Sequence, residues 1–199
     1  MRNLTLTLCL TVAVLLGSAK ASYIDDYTKG LNAAQSGDFS TALREWTTLA
    51  EQGDSSAQFN LGVMYEHGRG VPKDDKTAEK WYRLAAKQGV ADAQFNLGVM
   101  YGKGRGVPKD DKTAEKWYRL AAKQGDAKAQ INLGIMYIDG RGVIKDVVYA
   151  HMWVNIGASN GAAYAGGIRD FIEKRMTSAQ IAEAQKLARE CVRKKYKGC

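Results

Sequence analysis

One 36-residue unit, written twice with hardly a change, sets the terms on which this chain can fold. Residues 57–92 read AQFNLGVMYEHGRGVPKDDKTAEKWYRLAAKQGVAD. Residues 93–128 repeat them with differences only at Glu66/Gly102, His67/Lys103, Val90/Asp126 and Asp92/Lys128. Gly62, Gly98 and Gly134 carry the period into a third copy, as do Trp81, Trp117 and Trp153. A fixed period in this range marks an array of supersecondary units. Each is too small to bury its own apolar face and is stable only against its neighbours.

Inside the unit the apolar residues fall at helical spacing. Ala57, Leu61 and Tyr65 stand at i, i+4 and i+8 on one face of a first helix, A. Gly62 costs that helix about 1 kcal/mol against alanine, and its return at Gly98 and Gly134 predicts close approach of a neighbouring helix. The stretch Gly68-Arg69-Gly70-Val71-Pro72 is a loop: two glycines free to take positive φ and a proline that no helix interior accepts. Asp74 or Asp75 is placed to cap a second helix, B, which runs through Ala78, Trp81, Leu84 and Ala85. Gly89 follows as a left-handed stop, with Lys87 at the negative end of the helix dipole. Gly68-Arg69-Gly70 looks like a fragment of a phosphate-binding loop, but no strand precedes it and two aspartates open the helix after it. It is a connector.

These residues carry a family resemblance. The pattern A-x-x-x-L-G-x-x-Y-x-x-G-x-G-V-x-x-D-x-x-x-A-x-x-W-x-x-x-A-A-x-x-G resembles the Sel-one-like repeat, a relative of the tetratricopeptide repeat with a longer loop between its helices. Residues 57–92 and 93–128 match it throughout. A third copy, 129–161, keeps Leu133, Gly134, Tyr137, Gly140, Gly142, Trp153 and Gly161, and departs with Ile144 in place of proline. Tyr23 to Gly53 resembles a degenerate first repeat, with Gly37-Asp38-Phe39 as its turn and Trp46 in its second helix. The resemblance implies an all-α fold, a right-handed α-solenoid of stacked antiparallel helical hairpins. It divides the chain into a degenerate hairpin at 22–56, three repeats at 57–161 and capping helices with a basic tail at 162–199. It also implies an exported, non-enzymatic adaptor that binds a protein or peptide partner, in envelope or cell-wall assembly or in host interaction.

The two ends have their own logic. Arg2, the apolar run Leu4 to Leu16 and the small residues Ala19 and Ala21 spell a signal peptide over 1–21, cleaved before Ser22. The run is shorter than the ~20 residues a membrane span needs. Export then predicts a periplasmic or secreted protein. Losing Arg2 and Lys20 lowers Lys+Arg from 29 to 27 against 21 Asp+Glu, a formal charge of +6. That excess suits an anionic envelope surface or an acidic protein, and export sets nucleic acid aside. Cys191 and Cys199 are the cysteines left after cleavage; a bridge between them and two free thiols both stay open. Ile168 to Met176 is expected to finish a helix. Thr177 to Gln180 then spells a capping box ahead of a helix carrying Ile181, Ala184, Leu187, Ala188 and Cys191 on one stripe. Arg193, Lys194, Lys195 and Lys197 make its end basic, which suits a solvated helix terminus or, as a second alternative function, the binding of an anionic envelope polymer.

Catalysis needs a nucleophile, a base and a charge stabiliser that converge, and none is spelled out here. His67 becomes Lys103 in the sister repeat and belongs to solvent, whereas His151 sits in a B helix, half-buried. No His, Cys or carboxylate spacing suits a metal, and no cofactor is expected. A hydrolase acting on β-lactam or peptidoglycan is the alternative function. The cysteine pairs of the repeats so described in the family have no counterpart in residues 57–161. A binding surface fits better. If Ala57, Leu61, Gly62 and Tyr65 pack inward, the groove side of helix A presents Phe59, Asn60 and Val63. Their equivalents are Phe95, Asn96 and Val99, then Ile131, Asn132 and Ile135.

Overall fold

The computed structural model describes residues 25–199; the leader expected at 1–21 lies outside them. The described residues form helices and no strand. They are α1 (25–36), α2 (Phe39–Glu51), α3 (Ser55–His67), α4 (Asp75–Lys87), α5 (Ala91–Lys103), α6 (Asp111–Ala122), α7 (Ala127–Asp139), α8 (Val147–Ser159), α9 (Ala165–Glu173) and α10 (Ser178–Arg193). Packing divides the chain into two compact units, one ending at Asp74 and one spanning Asp75–Cys199. The first holds α1 to α3, with α2 packed on α3. In the second, each helix from α4 to α8 packs on the next, and α10 lies against α8. None of the described helices is long and apolar enough to cross a membrane.

The period is built from three local devices. Helix A starts on an aspartate: the Asp54 and Asp126 carboxylates accept from the backbone N–H of Ala57 and Ala129 at 2.6 Å, satisfying a donor that the first turn cannot. Val90 holds the same place before α5 and makes no such bond. Helix A stops on Gly68, Gly104 and Gly140, all left-handed, whose N–H groups bond to Met64, Met100 and Met136. The connecting loop then closes back on helix A, with the N–H groups of Asp74, Asp110 and Asp146 donating to the carbonyls of Tyr65, Tyr101 and Tyr137 at 2.9, 2.9 and 3.0 Å.

Stacking explains the glycines within helix A and the second glycine of each loop. A Cβ on Gly98 would sit 2.5 Å from the Tyr118 ring, and one on Gly134 would sit 2.7 Å from Val154 Cγ2. The hole in helix A is therefore filled by a side chain of helix B. The second loop glycine serves the next level of packing. A Cβ on Gly106 or Gly142 would meet the backbone carbonyl of Asp75 or Asp111 at well under 3.0 Å. Each Gly-Arg-Gly loop thus docks on the first turn of the preceding repeat's B helix, where only a bare backbone fits. Gly70 approaches Phe39 in the same way within the first unit.

Buried polar groups join the hairpins as well. Gln94 and Gln130, 4% and 0% exposed, donate from Nε2 to the carbonyls of Ala86 and Ala122 at 3.0 and 2.9 Å. They thereby satisfy C-terminal carbonyls of the preceding B helix. Their own carbonyls accept from Gln124 and Asn160 at 2.8 and 2.9 Å. Helix B charges are likewise part of the packing. Arg119 bridges Glu115, the Tyr137 hydroxyl at 2.9 Å and the Cys199 carbonyl at 3.0 Å. Arg83 repeats the pattern with Glu79 and Tyr101.

The C-terminal end closes the second unit. Thr177 and Gln180 form the reciprocal capping box of α10, and α9 ends at Glu173, with turns at 174–176 in place of further helix. Ala188 and Cys191 join the core of α6, α7 and α8. The tail then folds back: Cys191 and Cys199 are disulfide-bonded, and the Tyr196 hydroxyl accepts from Asn160 at 3.0 Å. Lys195 and Tyr196 are both left-handed at φ 50° and 61°, an uncommon backbone for side-chain-bearing residues that this surround holds in place.

Candidate functional site

The side chains expected to line the A-helix face are partly buried and partly accessible, with one exception. Phe59, Asn60 and Val63 of α3 are half-buried, as are Phe95, Asn96 and Val99 of α5, and Asn132 and Ile135 of α7. Ile131 is not on an open face. It is fully buried among Ala150, Val154, Ala165 and Ile172, because α8 and α9 close over it. Phe95 leans on the Tyr118 ring, centroids 5.9 Å apart, with the Lys128 ammonium 6.0 Å over its face.

A cleft at equivalent repeat positions is present in each unit. In the first, a cleft of about 110 Å³ is lined by Trp46, Asn60, Val63, Met64 and Arg69, with Ala34 and Phe39 at its side. In the second, a cleft of about 120 Å³ is lined by Tyr118, Asn132, Met136 and Arg141, with Asp111 and Lys103 at its side. Trp46 and Tyr118, Asn60 and Asn132, Met64 and Met136, and Arg69 and Arg141 each lie 72 residues apart, two periods of the repeat. The constellation is thus one aromatic wall, one methionine floor, one amide and one guanidinium, written twice.

The two versions differ in their polar state. In the first, the Asn60 amide donates to the Tyr27 hydroxyl of α1 at 3.2 Å. In the second, the Asn132 side chain has no hydrogen-bond partner among the described residues. Arg141 lies 3.8 Å from the Asp111 carboxylate and 3.2 Å from that of Asp139, and burial pushes the Tyr118 phenol up to about 12, so it stays neutral. Such a cleft offers fixed donors and an apolar wall.

Neither histidine lines these clefts. His67 is exposed, its Nδ1 3.0 Å from the Val63 carbonyl. His151 is fully buried, more deeply than its position in a B helix predicts, with Nε2 2.9 Å from the Glu173 carboxylate of α9. It joins α8 to α9. Among the described residues no group of three or more His, Cys, Asp or Glu is placed to hold a metal ion.

Sequence spacing missed a groove of about 380 Å³ between α8 and α10.

Comparison with known proteins places the array. The Sel1 repeat model matches residues 55–90, 91–126 and 127–161. Among solved structures, c5321, a protective antigen present in uropathogenic Escherichia coli strains and displaying an SLR fold, superposes with a TM-score of 0.79 at 34% identity. That match covers 90% of this chain and 39% of the other. A Sel1 repeat protein from Oxalobacter formigenes superposes with a TM-score of 0.72 at 30% identity, covering 83% and 75%. Cysteine rich protein B of Helicobacter pylori shares the fold, with a TM-score of 0.53 at 21% identity over 66% and 94%. DAP3-binding cell death enhancer 1 of rat is 40% identical over 45 residues, 23% of this chain and 9% of that protein. The chain therefore spans less than half of the antigen and a small fraction of the rat protein. On the three matched repeats and the solenoid they build, the chain belongs to the Sel1 repeat family.

Proposed function

We propose that the protein is a binding scaffold whose A helices present a repeated recognition surface to a protein or peptide partner. The observation that carries this reading is the constellation written twice: aromatic wall, methionine floor, amide and guanidinium at equivalent positions 72 residues apart. Each copy offers a polypeptide an amide to meet a peptide group and an apolar wall to meet a side chain. The proposed contacts are Phe59, Asn60 and Val63 in the first unit, and Phe95, Asn96, Val99, Asn132 and Ile135 in the second.

The setting proposed is the cell envelope, periplasmic or secreted. The leader pattern at 1–21 supports it, as does the likeness to a protective antigen of uropathogenic Escherichia coli. The test is affinity capture from an envelope extract, with a variant carrying Asn60→Ala, Asn96→Ala and Asn132→Ala as the control. Capture by the native protein that is lost in the folded variant supports the reading. Equal capture by both removes the A-helix face from the account.

A further inference from the structure

The groove between α8 and α10 shares no lining residue with the A-helix clefts, and its lining is chemically one-sided. Its floor is Ile156 and Ala188, both buried, with Val192 rising at the side, 47% exposed. Arg189 and Arg193, one turn apart on α10, flank this floor. Neither guanidinium is paired with a carboxylate among the described residues, and no acidic side chain lines the groove. The remaining polar groups are Asn155 and Ser159 of α8, whose hydroxyl donates to the Asn155 carbonyl at 3.1 Å. That leaves the Asn155 amide facing the groove with both a donor and an acceptor to offer.

An occupant must therefore bring an anion, an apolar body and an amide. Two guanidinium forks recognise a carboxylate through paired charge-assisted bonds. The volume takes a few residues. The Asn155 amide separates the candidate anions: covered by an acyl chain it would lose both hydrogen bonds to water without replacement, whereas a peptide group returns them. We propose that this groove is a second docking site, which takes the free carboxyl terminus of a partner polypeptide ending in an apolar residue. The carboxylate is held by Arg189 and Arg193, the last side chain lies on Ile156, Ala188 and Val192, and the last peptide group meets Asn155. This site is independent of the A-helix clefts and stands or falls apart from them.

The test uses fluorescein-labelled peptides on one Gly-Ser stem, ending in each of the common residues, as free acids and as carboxamides. Fluorescence anisotropy is measured against the intact protein, with dodecanoate as competitor. Free acids ending in Leu, Ile, Val, Phe or Met are expected to bind saturably, with the carboxamides at least about tenfold weaker. The doubly substituted Arg189→Ala, Arg193→Ala protein should lose that difference while keeping its helical circular dichroism, because both side chains are exposed. The Asn60, Asn96 and Asn132 variant should bind these peptides as the native protein does. Equal affinity for acid and amide, no saturable binding by any peptide, or displacement of the labelled peptides by dodecanoate at a lower concentration than by the same unlabelled peptide would each overturn the proposal.

Discussion

Gly140 and Gly142 flank Arg141 in the third loop and give a matched experiment on how the repeats are held together. Both are left-handed, at φ 73° and 70°, so either one changed to alanine takes on about the same backbone cost, roughly 1–2 kcal/mol. Their surroundings differ. A Cβ on Gly140 meets Lys145 Cβ at 3.4 Å, an ordinary contact, whereas one on Gly142 runs into the backbone carbonyl of Asp111 at the start of α6. That carbonyl belongs to a helix and cannot rotate aside, so Gly142→Ala adds an overpacking cost of about 1–3 kcal/mol. For a chain of this size each kcal/mol moves Tm by about 2–4 °C. Urea unfolding followed by circular dichroism, with the two variants side by side, reads the gap directly as a difference in midpoint. Gly142→Ala should be clearly the weaker of the two. Coincident midpoints would refute the claim that close docking of the loop on the preceding repeat holds the stack.

Three other perturbations follow from the same structure. Val90→Asp should supply the N-cap bond that Asp54 and Asp126 make and α5 lacks, raising stability by about 1 kcal/mol in urea unfolding. The Asp38 carboxyl is held down to about 2 by hydrogen bonds from Thr41 and Ser40, below the ordinary 3.8. Because the folded value is the lower one, its contribution is present above about pH 4 and is lost as pH falls toward 2. The urea midpoint should drop across that window, and Asp38→Asn should remove that component of the drop. The double change Cys191→Ser, Cys199→Ser should cost roughly 2–3 kcal/mol, the value for releasing a loop this short. Dithiothreitol on the native protein should reproduce the loss in thermal unfolding.

What was legible in the sequence was local or periodic. The glycines at Gly98 and Gly134 signalled close approach because a helix-breaking residue recurs only where something needs the space, and Tyr118 and Val154 occupy it. The capping box of Thr177 was legible because its partners lie three residues apart. Tertiary cover was not legible. Ile131 stands in the same register as Phe59 and Phe95, yet α8 and the non-repeating helix α9 pack over it, and a periodic pattern carries no information about an element outside the period. The Gln94 and Gln130 contacts were hidden for another reason. A polar side chain defaults to the surface until an unsatisfied carbonyl, here that of Ala86 or Ala122, lies within its reach. The groove at Arg189 depends on how α10 crosses α8, which no spacing within either helix records.

A photo-crosslinking amino acid placed in turn at Val99 and Asn132 on the A helices, and at Lys116 on the exposed side of α6, asks where the partner sits. If the A helices are the recognition surface, irradiation in envelope extract yields the same adduct from Val99 and Asn132 and none from Lys116. An adduct from Lys116 alone would contradict the account.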